Sequence, residues 1–268
     1  MVTVTGQKKE MYPWLEHFSL EGKVALLIGA GSGLCKETAK GVAMSGAQCI
    51  LMDIKPEGIE ALTKELTDAG LKAEPYVADV TKSEDCQNVV KYIADKYGHL
   101  DIMINAAGTA DRMPTEEFDE AKFDRIININ LKGTFLMLKY AGAQMLKQEN
   151  GGSIINFGSI ASVVGNPGSI AYSASKGAVG LMTKTAAVEW APRKVRVNAI
   201  VPGTYTTPLL QKCIDEDPAY EDYFLKRYPI GRWGDPEELV GAIIYLASDA
   251  STYTTGILLA ADGACTAY

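Results

Sequence analysis

Short apolar runs recur along the chain: VALLI from Val24, CILM from Cys49, YVA from Tyr76, IMIN from Ile102, SIINF from Ser153, VRVNAIV from Val195 and ILLA from Ile257. Near-continuous aliphatic and β-branched runs suit strands buried on both faces, and the helical patterns between them supply parallel crossovers. The pattern predicts an α/β fold: a doubly wound parallel sheet of about seven strands with helices on both faces. No interval has the composition of an interdomain linker, so residues 23–268 are expected to form one domain behind an N-terminal extension, residues 1–22. Helix starts are expected at Pro56-Glu57, at a capping box from Thr81 to Glu84, and at Asp235-Pro236-Glu237-Glu238. The long interval from Gly203 to Gly234 is read as irregular and rich in aromatics, of the kind that serves as a lid or binding segment; the alternative is a helical pair packed on a neighbouring subunit.

Composition narrows the function classes. With 47% hydrophobic and 22% charged residues the chain is that of a globular protein. No run approaches the ~20 apolar residues of a membrane span, and the N-terminal stretch lacks the marks of a signal peptide, so a cytoplasmic location is expected. The net charge of -7 comes without a basic run, which gives no support to nucleic-acid or membrane binding and leaves small molecules as the expected partners. Five cysteines, Cys35, Cys49, Cys86, Cys213 and Cys265, are scattered without a C-x-x-C pair, so neither a disulfide framework nor a metal site is expected.

The first apolar run leads into LIGAGSGLCK, where Gly29, Gly31 and Gly33 precede a helical pattern. Backbone N–H groups at such a helix N-terminus, with the helix dipole behind them, favour a phosphate. Asp53 closes the second run in LMDIK, at about the spacing of a carboxylate that accepts hydrogen bonds from an adenosine ribose. A carboxylate there repels a 2'-phosphate, so NAD is expected over NADP, with Lys36 and Lys55 close enough to blur the preference.

The segment YSASK sets Tyr172 and Lys176 at i, i+4, on one face of a helix. An ammonium beside a phenol favours the phenolate and makes it a usable general acid/base. Such a pair is also common as surface packing; what gives it weight is Ser159, at the end of the SIINF run, where parallel sheets bind ligands.

With these motifs in order, the chain resembles the short-chain dehydrogenase/reductase family from about Leu20 to Gly263, which implies a Rossmann fold. The resemblance implies a catalytic tetrad of Asn130, Ser159, Tyr172 and Lys176. It implies cofactor contacts from Gly29, Gly31, Ser32, Gly33 and Leu34, from Asp53 and Ile54, and from Asp79 and Val80. Further contacts fall on Asn105, Ala106, Ala107 and Gly108, on Tyr172 and Lys176 themselves, and on Pro202, Gly203 and Thr207. Lys176 would hold the nicotinamide ribose and lower the pKa of Tyr172. A homotetramer or homodimer is implied, joined through helices near Phe123 to Gln148 and Tyr172 to Trp190. Three positions depart from the family pattern: Ile28 stands where threonine is usual, and Cys35 and Ala264 where glycine is usual. Cys35 falls on a buried stripe, so a slightly displaced helix is expected; a redox-sensing thiol is the sharper alternative.

The implied reaction interconverts a secondary alcohol and a ketone by hydride transfer. FSLEGKVAL and MDIK also resemble gluconate 5-dehydrogenases and related polyol dehydrogenases, and Arg112 is then a candidate for a sugar-acid carboxylate. A hydroxysteroid or other bulky alcohol suits an apolar lid equally. Rival classes are a non-catalytic NAD sensor and a cofactor-free lyase similar to halohydrin dehalogenases; Gly29 to Gly33, Asp53 and Lys176 weigh against the second.

Overall fold

Each apolar run is short and bounded by turn residues, and extends as a strand whose two faces meet different helices. The computed structural model describes residues 13–216 and 219–267. Its strands are β1 (Val24–Ile28), β2 (Gln48–Asp53), β3 (Ala73–Val77), β4 (Ile102–Asn105), β5 (Gly152–Phe157), β6 (Val195–Pro202) and β7 (Leu258–Ala261). They pair in parallel throughout, in the order β3-β2-β1-β4-β5-β6-β7. The third strand starts before the YVA run and includes Pro75, which has no N–H to donate; its place at the sheet edge makes that tolerable.

The helices are α1 (Gly33–Met44), α2 (Pro56–Asp68), α3 (Ser83–Tyr97), α4 (Glu120–Ile126), α5 (Thr134–Met145), α6 (Ile170–Trp190), α7 (Pro208–Glu216), α8 (Ala219–Leu225) and α9 (Val240–Ala247). Side chains alternate across the strands and build two cores. Ala25 and Leu27 of β1 pack with α1, α2 and α9 on one face, while Val24, Leu26 and Ile28 pack with α3, α5 and α6 on the other. Leu20, ahead of β1, is fully buried in the first core; residues 1–12 of the expected extension lie outside the described residues.

Local details depart from the sequence expectations for identifiable reasons. The capping box at Thr81–Glu84 does not form: Thr81 donates from both its N–H and its hydroxyl to Asp79 Oδ1, and α3 begins after Lys82 without a side-chain cap. Asp79, two residues earlier, is the stronger acceptor and makes a local turn instead. Asp235 and Glu238 do form a capping box, opening a 3-10 turn that runs into α9. The 203–234 interval is irregular only in part: α7 and α8 lie within it, the helical pair of the alternative reading. Its ends are tied by Thr206 N–H to Gly234 O at 2.8 Å and Gly234 N–H to Thr204 O at 3.0 Å. Below it Ile160, Leu210, Tyr228, Trp233 and Cys265 form a third apolar cluster. Ala264 takes φ +68°, the left-handed conformation that explains the usual glycine there and costs alanine about 1 kcal/mol.

The order of strands reverses between β1 and β4. In such sheets ligands bind in the crevice beyond the carboxyl ends of the strands at that point.

Candidate active site

The turn after β1 is fixed by its backbone. Gly29 and Ala30 donate to Met52 O at 2.8 and 3.1 Å, so the turn does not need the hydroxyl that Ile28 lacks. Gly29 has φ +80°, and a Cβ there would lie 3.0 Å from Ala107 N; glycine alone lets this turn meet the Asn105–Gly108 turn. Gly33 has φ +59° with open space around its Cβ position, and α1 starts behind Ser32 with no side-chain cap. The first N–H groups of α1 therefore face open space with the dipole behind them, as a pyrophosphate requires. Asp53 Oδ2 accepts from Gly31 N–H and Oδ1 from Lys55 N–H, both at 3.1 Å. Together with Asn105, buried with both side-chain polar atoms lacking a protein partner, these residues fit a dinucleotide.

Cys35 is 2% exposed and its Sγ donates to Ile28 O at 3.5 Å. Cysteine thus fills the place of a packing glycine against β1 and leaves the turn intact. Burial pushes its thiol well above the ordinary range, aided by the Asp53 carboxylate, so the reactive thiolate is suppressed and the redox-sensor alternative fails. Leu34 is partly buried against the first core. Val80 is only 8% exposed and packs into the second, so its side chain is a core element. Pro202 ends β6, Gly203 donates to Ala261 O at 3.0 Å, and the Thr207 hydroxyl accepts from Leu210 N–H at 3.3 Å at the start of α7. Ile54 is exposed beside Asp53.

The tetrad residues arrive from different elements and meet beside this crevice. Ser159 follows β5 and caps a 3-10 turn, its Oγ accepting from Ala161 N–H at 3.1 Å. Its hydroxyl also favours the ionised form of the Tyr172 phenol. Tyr172 and Lys176 share one face of α6, with Lys176 Nζ 5.7 Å from the Tyr172 ring centre. Lys176 is 5% exposed and donates to Phe157 O at 2.7 Å. Asn130 is fully buried in a π-helical turn, Ile127–Gly133, between α4 and α5, an irregularity common at functional sites. Its Oδ1 accepts from Thr109 N–H at 2.8 Å, while its Nδ2 donates to Thr109 O at 2.9 Å and Ser175 Oγ at 3.2 Å. It therefore ties the segment after Gly108 to the helix that carries Tyr172.

Burial dominates the electrostatics. It lowers the Lys176 ammonium to about 8, because a buried charge is disfavoured. It raises the Tyr172 phenol above its ordinary value, against which the Ser159 hydroxyl and the positive charge of Arg112 pull down. The sequence assigns such a role to Lys176, whose Nζ lies 5.7 Å from the Tyr172 ring centre; Arg112, from the loop after β4, adds a second positive charge that favours the phenolate. The guanidinium of Arg112 in turn lies 4.6 Å from the centre of the Phe224 ring on α8. Arg227, after α8, donates to Asn166 Oδ1 at 3.1 Å, and Met113 N–H donates to Gly168 O at 2.9 Å. Sequence reasoning has no signal for Phe224, Arg227 or Asn166 beyond their presence in the aromatic-rich and loop segments.

These features have counterparts among known proteins. The family model described as enoyl-(acyl carrier protein) reductase matches residues 29–266. The chain belongs to the short-chain dehydrogenase/reductase family. Within this family it is 41% identical over 244 residues to a 3-oxoacyl-[acyl-carrier-protein] reductase of Thermotoga maritima, covering 91% of this chain and 98% of that protein. It is 35% identical over 249 residues to the gluconate 5-dehydrogenase of Gluconobacter oxydans, covering 93% and 96%. A gluconate 5-dehydrogenase from Burkholderia cenocepacia, solved with NADP and tartrate, superposes with a TM-score of 0.90 at 33% identity, covering 95% of this chain and 99% of that one. The chain is thus an oxidoreductase of this family, whose cofactor is a nicotinamide nucleotide, and sugar-acid dehydrogenases are among its relatives. No helix among the described residues is long and apolar enough to cross a membrane.

Proposed function

We propose that this dehydrogenase interconverts a secondary alcohol and a ketone with NAD(H), acting on a hydroxylated carboxylate such as a sugar acid, with Tyr172 as general acid/base. One observation carries the reading: Asn130, Ser159, Tyr172 and Lys176 converge beside a glycine-lined crevice that fits a dinucleotide.

The backbone of Gly29, Gly31, Ser32, Gly33 and Leu34 would hold the pyrophosphate, Asp53 and Ile54 the adenosine ribose, and Asp79 and Val80 the adenine. Asn105, Ala106, Ala107 and Gly108 would line the middle of the crevice, with Pro202, Gly203 and Thr207 at the nicotinamide end. The bound nicotinamide supplies the acceptor or donor of the hydride. Tyr172 Oη takes the proton of the substrate hydroxyl, or returns it to the ketone oxygen, while Ser159 Oγ orients that oxygen. Lys176 holds the nicotinamide ribose, and its ammonium stabilises the phenolate. Asn130 keeps the Thr109 segment and α6 in register around the reacting atoms.

The preference for NAD over NADP rests on the Asp53 carboxylate, which would face a 2'-phosphate with like charge. Lys36 does little to offset it, since Glu65 lies 3.8 Å from its ammonium. A carboxylate on the substrate is favoured by the cation of Arg112, whose charge acts on Tyr172 and whose Cζ lies 4.6 Å from the Phe224 ring centre. The segment 203–234 serves as the lid over this region. Exposed Phe135 on α5 and Leu181 and Val188 on α6 support assembly as a homotetramer through these helices; a monomer on size-exclusion chromatography would remove that part.

The test pairs turnover with binding. In Tyr172→Phe, NADH-dependent reduction of keto sugar acids is expected to fall at least ~10³-fold while NADH binding, followed by its fluorescence, stays within about twofold of the parent. Retained turnover refutes the assignment.

A further inference from the structure

Gly31 meets two parts of the chain that lie well beyond it in sequence. Its N–H donates to Asp53 Oδ2 at 3.1 Å, and a Cβ on it would come within 2.9 Å of that same oxygen. Its carbonyl meets the first turn of α2: a Cβ on Gly58 would overlap the Gly31 carbonyl oxygen and lie 2.8 Å from Gly31 Cα. Gly58 is not among the glycines with positive φ, so its backbone conformation does not call for glycine, and alanine is the better helix former. What requires glycine is the space. The missing side chain lets α2 close on the turn after β1.

The Asp53 carboxylate is held in the resulting clamp. Oδ2 accepts from the turn, at Gly31, and Oδ1 from the start of α2, at Lys55 N–H, 3.1 Å in each case. Each oxygen keeps a lone pair for a further donor, and the hydroxyls of a ribose are such donors. Ion pairs also join α1 to α2, Lys40 to Glu65 at 2.8 Å and Lys36 to Glu65 at 3.8 Å, but solvent-exposed pairs of this kind hold little. The backbone approach of Gly31 and Gly58 therefore sets the width of the clamp.

We propose that Gly58 is a positioning residue for cofactor choice: by carrying no side chain it lets α2 close on Gly31, and the closed clamp holds the Asp53 carboxylate where it meets the ribose hydroxyls of NAD and repels a 2'-phosphate. The inference rests on Asp53 facing the adenosine ribose, as in the reading above. A methyl group at position 58 parts the two backbones. Whichever of them gives way, the bonds from Gly31 and Lys55 can no longer both be kept, and the carboxylate loses its fixed direction.

The test is a fluorescence titration of each variant with NADH and with NADPH. In Gly58→Ala the Kd for NADH is expected to rise about fivefold while that for NADPH stays within about twofold, so the preference narrows. In an Asp53→Ala background there is no carboxylate to misplace, and adding Gly58→Ala is expected to leave the preference unchanged. Without cofactor, amide exchange at Gly31 should quicken about threefold in Gly58→Ala as its bond to Asp53 loosens. Should Gly58→Ala not fold, Gly31→Ala loads the same clamp from the turn side, and the same narrowing is expected. A preference that stays put, an equal loss for both nucleotides, or a further narrowing in the Asp53→Ala background overturns the inference while leaving the dehydrogenase reading standing. A parent protein that binds neither nucleotide overturns that reading, and the inference with it.

Discussion

On the β1 side of the crevice the chain is held by its backbone. Gly29 and Ala30 donate to the neighbouring strand, Gly29 abuts the Asn105–Gly108 turn, and Cys35 and Ala39 of α1 lie in the core. On the lid side the ends of the segment are tied by backbone bonds of Thr204 and Thr206 with Gly234, and the rest is held by an apolar cluster and by side chains: Arg112 on Phe224, Arg227 on Asn166 and, within the segment, Trp233 on Glu221. The backbone side cannot open without breaking the sheet, whereas on the lid side the polar contacts between segments are few, each worth about 1 kcal/mol, beside the apolar cluster. A scaffold that binds one ligand in a fixed pose and admits another needs this asymmetry. Lys176 lies at the seam, its ammonium buried and bonded to the end of β5.

The seam offers the largest way to break the comparison. With its ionisation lowered to about 8, Lys176 destabilises the fold while both folded and unfolded states carry the charge. The unfolded chain binds the proton more tightly, so stability from this group rises with pH from about 8 to the ordinary lysine value near 10.4. Lys176→Met is therefore expected to stabilise the cofactor-free protein by about 2 kcal/mol below pH 8, an advantage that disappears near pH 11. Denaturant melts at both ends of that range check it, and a pH-independent difference would show that the ammonium is not held in the rigid side. Asp53→Asn tests the fixed side next: the amide oxygen still accepts the Gly31 N–H, but the charge is gone. The ratio of NADH to NADPH affinity is expected to fall about tenfold in a fluorescence titration, since a like charge no longer faces the phosphate. A lost affinity for both would mean that Asp53 serves the loop rather than the ribose. The smallest effect is on the lid side. Asn166→Ala removes the bond from Arg227 and should speed amide exchange across 205–230 about threefold, with β1 and β2 unchanged. Equal exchange in Asn166→Ala and the parent would mean that the lid is held by its other contacts, the apolar cluster among them.

How far the sequence carries follows the same division. The seven strands were readable because strands buried on both faces need continuous apolar runs; the error at β3 arose because an edge strand has no such need and tolerates Pro75. The capping box at Thr81 was misread because its competitor, Asp79, acts through geometry rather than through the pattern. Tyr172, Lys176 and Ser159 were legible because helical spacing and a strand end fix their positions locally. Arg112 was visible as a loop cation, but its place over the Phe224 ring was not, since nothing in the spacing of these residues brings them together.

The sequence by itself determined the order of strands and helices, the glycines that let the cofactor turn approach its neighbour, and the tyrosine and lysine on one helical face, because each depends on residues close along the chain. Only the tertiary structure decided that Cys35 is a packing residue with a suppressed thiol, that Lys176 is buried and bonded to Phe157, and that Arg112 lies over the Phe224 ring. Burial and long-range Coulomb interactions arise from elements that meet only after folding, and those are the forces that set the ionisation of this site.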